Sequence, residues 1–273
     1  MKLIFLDIDG TLTPPGSNTP PESAVQAIRK AQEKGNKVFL CTGRNYDMLS
    51  PLLRYGFDGM VASSGGYVMA GDELIFDCPM SDKQRDIALE SLHRNGVFCT
   101  IEAAGGSWGD DNLADFLKGQ PEGNSEIERW RAALAGDLGI KPMSEYDGSP
   151  IYKVVIMCMR MEQLDEARSL LEKDFQFVVQ EVPAHGCING ELVNRKFDKG
   201  SGIRRICEKL GVPIEDTVGF GDSMNDLEMI QTVGTSVCMD NGAAALKKIS
   251  GMICPSVEED GLAKAFEELG LTE

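Results

Sequence analysis

The sequence predicts an α/β protein: a doubly wound parallel sheet core interrupted by an inserted second α/β domain. Three observations carry that prediction. Short apolar runs alternate with helical patterns at both ends of the chain, the signature of strand–helix–strand units. Three of those runs end in polar clusters, at Asp7/Asp9, at Thr42-Gly43 and at Asp222/Asn225/Asp226. From Ser81 onward the regular alternation breaks down, and it resumes only near Lys199. The core is therefore expected over residues 1–81 and 188–273, with 82–187 as the insert.

Lys2-Leu3-Ile4-Phe5-Leu6 is an apolar run that stops at Asp7-Ile8-Asp9-Gly10-Thr11-Leu12. It is too short to span a membrane and ends in two acids rather than a small-residue cleavage site, so it reads as a buried strand. Thr13 to Thr19 is a loop rich in Pro, Gly, Ser and Asn. Pro20-Pro21 then open a helix to about Lys34, with Ala24, Ile28 and Ala31 on one face and Gly35 as its stop. Lys37–Cys41 is a second buried strand, ending at Thr42-Gly43-Arg44. Asn45 can cap a helix to about Tyr55, closed by Gly56. Met60–Ala62 and Tyr67–Met69 read as short strands, and Ala70–Glu73 turns into Leu74-Ile75-Phe76 as a hairpin.

In the insert, Ser81-Asp82-Lys83-Gln84 has the form of a capping box and opens a helix to about Asn95. A strand is expected over Val97–Ile101, then a Gly- and Asp-rich stretch, Ala103–Ser125, holding one short helix. A helix near Glu126–Leu138, strands at Ile151–Met157, Phe175–Val179 and Cys187–Val193, and a helix over Met161–Lys173 follow. The core resumes with a helix from Lys199-Gly200 through Leu210. The strand Thr217–Phe220 ends at Gly221-Asp222-Ser223-Met224-Asn225-Asp226. A helix, the strand Thr235–Cys238, the helix Ala243–Ile249, a short strand near Met252–Cys254 and a last helix complete a Rossmann-like core.

Composition bounds the function. With 42% hydrophobic and 26% charged residues over 273 positions, the chain can bury a sizeable core and is neither disordered nor fibrous. Its formal charge of −16 argues against a nucleic-acid partner. It leaves room for small phosphorylated substrates, because one metal ion and one lysine reverse the sign locally. The absence of a membrane-length apolar stretch and of a signal peptide leads to the expectation of a cytoplasmic protein with no membrane partner. The eight cysteines are scattered without a C-x-x-C pair, so reduced, buried thiols are expected rather than zinc ligands or disulfides.

In a parallel sheet the strand ends share one edge, where ligands bind, so acids far apart in sequence can converge there. Clustered carboxylates repel unless a cation sits among them, and an all-oxygen set suits Mg²⁺. Beside a hydroxyl and a lysine, such a cluster makes a phosphoryl site in which one carboxylate attacks.

Asp7-Ile8-Asp9-Gly10-Thr11-Leu12, Thr42-Gly43-Arg44, Lys199-Gly200 and Gly221-Asp222-Ser223-Met224-Asn225-Asp226 resemble, in order, the four motifs of the haloacid dehalogenase (HAD) superfamily. The apolar strand before the first motif and the large insert between the second and third are similar to those of Cof-type phosphatases with a type IIB α/β cap. Across the insert the likeness is architectural only. The resemblance implies that Asp7 attacks phosphorus to form an aspartyl-phosphate. Asp9 would protonate the leaving alcohol and then activate water, while its backbone carbonyl binds the metal. Thr42 and the amides of Gly43 and Ile8 would hold phosphoryl oxygens, and Lys199 would bridge phosphate and nucleophile. Mg²⁺ would be held by Asp7, Asp9 and Asp222, with Asp226 supporting the metal shell and Asn225 touching phosphate.

The function this implies is Mg²⁺-dependent hydrolysis of small phosphate monoesters, such as sugar phosphates or similar metabolites. A phosphomutase of the phosphomannomutase type resembles the chain in both core and cap and is the alternative. A non-catalytic sugar-phosphate binder would not need the intact Asp7 and Asp9. One departure is Ser64-Gly65-Gly66, where the family often has Asn-Gly-Ala after the third core strand. The stretch Gly105–Gly123 gives no substrate.

Other motifs are weaker. Gly105-Gly106-Ser107-Trp108-Gly109 fits G-x-S-x-G, with His185 downstream, and would make Ser107 a hydrolase nucleophile. No HGGG-type stretch precedes it, and a glycine loop is the expectation. His93 and His185, the only histidines, are expected in surface or packing roles. Gly219-Phe220-Gly221 starts like a dinucleotide fingerprint but reaches Met224 where the third glycine belongs. Glu258-Glu259-Asp260 begins a helix, where carboxylates suit the dipole.

Overall fold

Leu3–Leu6 forms β1, and all four of its side chains are buried. Its alternate residues serve two different cores, as the two-residue period of a strand dictates. Ile4 and Leu6 pack with Ala24, Ala27, Ile28 and Ala31 of the helix Glu22–Glu33 and with Phe266 of the helix Gly261–Glu268. Leu3 and Phe5 pack instead with Ile203, Ile206 and Cys207 of the helix Lys199–Leu210 and with Met229 of the helix Leu227–Thr232. Helices on both faces make the strand a continuous apolar run, the mark of a doubly wound sheet.

The computed structural model describes residues 1–118, 139–181 and 187–273. Among these the chain forms two units, Met1–Asp77 with Phe197–Glu273, and Cys78–Lys196. In the first unit β1 is followed by β2 (Lys37–Cys41), β3 (Gly59–Ala62), β4 (Tyr67–Ala70) and β5 (Glu73–Asp77). The second unit contributes β6 (Phe98–Ala103), β7 (Gly106–Gly109), β8 (Ile140–Pro142), β9 (Ile151–Cys158), β10 (Phe175–Glu181) and β11 (Ile188–Asn194). The first unit then resumes with β12 (Thr217–Gly221), β13 (Thr235–Met239) and β14 (Met252–Cys254). Its sheet runs β14-β13-β12-β1-β2-β3-β4-β5, parallel from β14 to β3, with the expected hairpin β4–β5 on the antiparallel edge. Chain order reverses between β1 and β12, which makes that seam the switch point where such sheets hold ligands.

The expected boundary of the insert shifts in the structure. Residues 188–194, assigned to the core by the sequence, form β11, which pairs with β9 and β10 in the second sheet. The division falls after Lys196, because the hydrogen-bonding edge of β9 claims this strand. At the other end, Met80 N donates to Ile151 O at 2.7 Å, drawing Cys78–Ser81 into the insert as well.

The second sheet is ordered β10-β11-β9-β6-β7-β8. One of its faces buries Ile101, Val154, Ile156 and Leu192 against Ala88 and Leu92 of the helix Asp82–Arg94 and Ala167 and Leu171 of the helix Asp165–Leu171. The capping box is present: Gln84 N donates to Ser81 Oγ at 3.3 Å and Ser81 N to Gln84 Oε1 at 3.1 Å. Gly106–Gly109 is a strand antiparallel to β6. Ser107 therefore lies inside a hairpin strand and not on the strand-to-helix turn that a serine nucleophile requires, which overturns the elbow reading. The helix expected near 126–138 and His185 lie outside the described residues.

In the core the helix expected after Asn45 is broken into a 3₁₀ turn, Asp47–Leu49, and a single turn, Ser50–Leu53. Asn45 Oδ1 does accept from Met48 N, at 3.0 Å, as a cap should. Pro51 lacks the N–H that would continue the helix from Asp47, which explains the break.

Candidate active site

The site follows from strand register. Leu6 lies beside Phe220, and Asp7 N donates to Phe220 O at 3.0 Å, so the next residues of β1 and β12 bring Asp7 and Asp222 to one edge. Past Asp7 the chain folds back tightly, with Ile8 O accepting from the amides of Leu12 at 3.0 Å and Thr13 at 2.9 Å. Gly10 sits in this turn with φ +84°, and a Cβ there would stand 2.4 Å from Asp222 Oδ2. Glycine is required twice over, by the backbone and by the carboxylate that fills the space.

Lys199 is 1% exposed. It opens a helix capped by Asp198, whose carboxylate accepts from Ser201 N at 2.6 Å. Its ammonium lies 2.7 Å from Asp7 Oδ1 and 2.5 Å from Asp226 Oδ1. The other oxygen of Asp226 accepts from Asp222 N at 3.0 Å and Ser223 N at 3.1 Å. Both oxygens of Asp226 are thus engaged within the protein, and it acts as a buttress for Lys199 and for the Asp222 turn. Asp222 differs: its Oδ1 is buried with no hydrogen-bond partner. Asp7, Asp222 and Asp226 each present an oxygen within 4.8 Å of the others.

Such crowding shifts titration. Burial and then the charge of Asp226 push the Asp7 carboxyl up to about 7, against the pull of Lys199. Burial and Asp226 likewise raise Asp222 to about 6. Burial works against the Lys199 ammonium, but Asp226 and Asp7 outweigh it and its pKa is raised, so it stays charged. An all-oxygen acid cluster with one buried oxygen unsatisfied fits a hard divalent cation.

A pH dependence follows. With Asp7 and Asp222 raised above the ordinary carboxylate value, the metal-free folded state holds more protons than the unfolded chain between about pH 4 and pH 7. Stability from these groups is present at the acid end of that window and lost as pH rises through it. A divalent cation competes with those protons. The rise in melting temperature on adding Mg²⁺ is therefore expected to be larger at pH 8 than at pH 5; an equal or smaller rise at pH 8 would contradict this cluster as the cation site.

The loops after β2 and β3 adjoin the same edge. Thr42 is buried, its Oγ1 accepting from Arg44 N at 3.1 Å. Ser64 N donates to Thr42 O at 2.9 Å and Ser63 N to Arg44 O at 2.8 Å, tying the two loops together. Both serines have positive φ, 49° and 56°, an uncommon conformation outside glycine. At Gly65 a Cβ would stand 2.2 Å from Asp198 O, so this loop abuts the residue that caps the Lys199 helix. The departure from the family pattern at Ser64-Gly65-Gly66 thus falls on a loop whose backbone is strained and which is tied to the Thr42 loop.

Arg44 belongs to the Thr42-Gly43-Arg44 motif, but the resemblance assigns it no role. Its Nε and Nη2 donate to Asp9 Oδ2 and Oδ1 at 2.9 and 2.7 Å, and its Nη1 to Asn18 Oδ1 at 2.6 Å. Asp9 Oδ1 also accepts from Gly16 N at 3.3 Å. The half-exposed Asp9 carboxylate is held by a nearly buried, bidentate guanidinium. Asn225 is exposed on the turn after β12, its Oδ1 accepting from the Ser223 hydroxyl at 2.8 Å. Among the described contacts it is not drawn into the Asp7–Lys199–Asp226 set.

A doubly wound core that delivers an acid, a buried lysine and two further acids to its switch point is the framework of a phosphoryl-transfer hydrolase. The family model described as haloacid dehalogenase-like hydrolase matches residues 4–266. The chain belongs to that family, in its Cof-type branch, and is a phosphatase. It is similar to the Bacillus subtilis (strain 168) protein YkrA, 29% identical over 99% of this chain and 98% of that one. It is also similar to phosphatase YwpJ of the same organism, 26% identical over 98% of this chain and all of the relative. Among solved structures, a protein of Geobacillus kaustophilus HTA426 superposes with a TM-score of 0.80 at 26% identity, covering 99% of both chains. The HAD subclass IIB sugar phosphatase BT4131 shares the fold, with a TM-score of 0.74 at 22% identity over 99% of this chain and 100% of that one.

Proposed function

We propose that the protein is a Mg²⁺-dependent phosphatase of small phosphate monoesters, sugar phosphates or similar metabolites, that works through an aspartyl-phosphate. The observation that carries this reading is the buried Lys199 ammonium bonded to both Asp7 and Asp226, next to the unsatisfied oxygen of Asp222. Mg²⁺ held by Asp7, the Asp9 carbonyl and Asp222 would supply positive charge for the phosphoryl oxygens.

Asp7 attacks phosphorus, and the bond to the leaving alkoxide breaks. Lys199 favours the ionised nucleophile and offsets the incoming negative charge, since its own proton is not released in the working pH range. The Thr42 hydroxyl and the amides of Ile8 and Gly43 bind the transferring group, and Asn225 reaches it from the turn after β12. Asp9 gives its proton to the alkoxide, then takes one from the water that hydrolyses the acyl phosphate. Arg44 engages both Asp9 oxygens, so Asp9 must loosen from that clamp and carry a proton before it can act as the acid. Asp226 holds Lys199 in place and does not touch the substrate.

Two relatives support the substrate class by their names, the 5-amino-6-(5-phospho-D-ribitylamino)uracil phosphatase YwtE of Bacillus subtilis and a phosphoglycolate phosphatase of Methanothermobacter thermautotrophicus. Both names denote small phosphate monoesters. The similarity to phosphatases along nearly the whole chain favours water over a sugar hydroxyl as final acceptor, and a location in the cytoplasm suits such metabolites. The test is a panel of sugar, polyol and carboxylic-acid phosphates with Mg²⁺ present. Inorganic phosphate is expected in proportion to substrate consumed; an isomeric sugar phosphate in its place would establish the mutase instead.

A further inference from the structure

The inserted unit holds a second set of ligating side chains. Thr100 on β6 pairs with Gly109 on β7, so Asp110, just past β7, comes level with Cys99. Two backbone contacts fix it there: Cys99 N donates to Asp110 Oδ2 at 2.7 Å, and Asp110 N to Cys99 O at 3.0 Å. From above, the last turn of the helix Asp82–Arg94 lowers His93, whose Nε2 lies 2.9 and 3.2 Å from the two Asp110 oxygens. A ring nitrogen of His93, the Cys99 sulfur and an Asp110 oxygen all lie within 4.8 Å of one another. His93 and Asp110 line an open cleft of about 510 Å³, whose walls also carry Asp111, Asn112 and Ser144. Cys99 is 1% exposed and lies behind the cleft, at the edge of the buried cluster that includes Leu92 and Ile101.

We propose that His93 Nε2, Cys99 Sγ and the Asp110 carboxylate form a binding site for a zinc-class divalent cation, with a further coordination position open to the cleft. The donor set decides the class. Sulfur and imidazole nitrogen are poor partners for Mg²⁺ or Ca²⁺ but suit zinc and its chemical relatives, which take three protein ligands and leave one position to solvent. Charge also balances: a thiolate, a carboxylate and a neutral imidazole around a dication sum to zero, which a half-buried site tolerates.

Binding exchanges the His93–Asp110 hydrogen bond for one bond from each group to the cation, and the proton that Nε2 gave to that hydrogen bond passes by way of solvent to Nδ1, leaving a neutral ring. The Cys99 S–H bond breaks as the sulfur–metal bond forms, and the proton leaves to solvent. Asp110 keeps its bond from the Cys99 amide throughout, so the carboxylate is oriented before the cation arrives. Sequence spacing hides the site, because positions 93, 99 and 110 come from a helix end, a strand and a hairpin exit, with no C-x-x-C or H-x-x-x-H pattern.

The test is titration of the full chain with Co²⁺ in excess Mg²⁺, which occupies the oxygen-only cluster, reading the near-ultraviolet thiolate-to-cobalt band. One equivalent per chain is expected to develop the band, and Zn²⁺ to remove it. Cys99→Ser should abolish the band, while His93→Gln, at a half-exposed position that keeps the fold, should weaken apparent affinity at least about tenfold. Cys78→Ser, at the one cysteine that is not buried, and Asp222→Asn should leave it unchanged. No band from folded protein, a band that survives Cys99→Ser, or one lost in Cys78→Ser would overturn the proposal.

Discussion

Replacing Asp7 by Asn is expected to cut phosphate release by about 10⁴- to 10⁶-fold, the scale on which enzymes lose rate when a nucleophile is removed. The amide has nearly the same shape but carries no charge to attack phosphorus. Lys199 keeps its second partner, Asp226, at 2.5 Å, so the helix start that holds it has no reason to move. The substitution also removes a buried carboxyl that burial and Asp226 push up to about 7. Without Mg²⁺, the variant is therefore expected to melt no lower than the parent at pH 8, and higher if relief of the Asp7–Asp226 repulsion outweighs the lost ion pair. With Mg²⁺ the order should reverse, because on the proposed reading the variant has lost one ligand of the cation. Phosphate assays with an aryl phosphate, and melts with and without Mg²⁺, test both halves. Residual turnover above about 1% of the parent would rule out Asp7 as the nucleophile, since it corresponds to a loss of less than about 3 kcal/mol in barrier.

How far the sequence could anticipate this site depends on which physical signal each part leaves in the chain. β1 was legible because a strand buried on both faces must be apolar throughout and must end abruptly where the polar edge begins. Asp7, Asp9, Thr42 and Asp222 stand at such ends, so topology alone brings them to one edge, whereas Lys199 reaches it from the start of a helix. Partnership was not legible. Nothing in the order of residues says that Asp226 spends its oxygens on Lys199 and two amides, or that Asp9 is gripped by Arg44. Those are facts of side-chain geometry across 27 or 35 residues of chain. The boundary at 187 failed for a similar reason. A strand's sequence reports its burial, not which sheet hydrogen-bonds to it, and β11 reads the same in either. β8 carries Lys141 and Pro142, poor strand formers on an edge, and left no signal at all.

Lys199→Met is expected to be the most damaging change to stability in the core, and the reason reaches beyond catalysis. The substitution keeps the volume of a fully buried side chain but leaves Asp7 and Asp226 facing each other with no cation between them. Breaking a buried pair from one side costs about 3–5 kcal/mol, far more than losing an exposed bridge. The Asp7 carboxyl, already pushed up by burial and by Asp226, is then driven further up, so the cost is greatest where it must be charged. The loss should be large at pH 8, and it should shrink toward pH 5 as the folded state takes up protons. Urea melts at the two pH values, with and without Mg²⁺, separate the contributions. Mg²⁺ should recover part of the stability, because it neutralises the same acids, yet turnover should stay at least about 10²- to 10³-fold down, because nothing replaces the ammonium beside the transferring group. A variant equally stable at both pH values would mean that Lys199 is not the charge holding this edge together. Recovered turnover on adding Mg²⁺ would mean instead that its role is only to keep the fold.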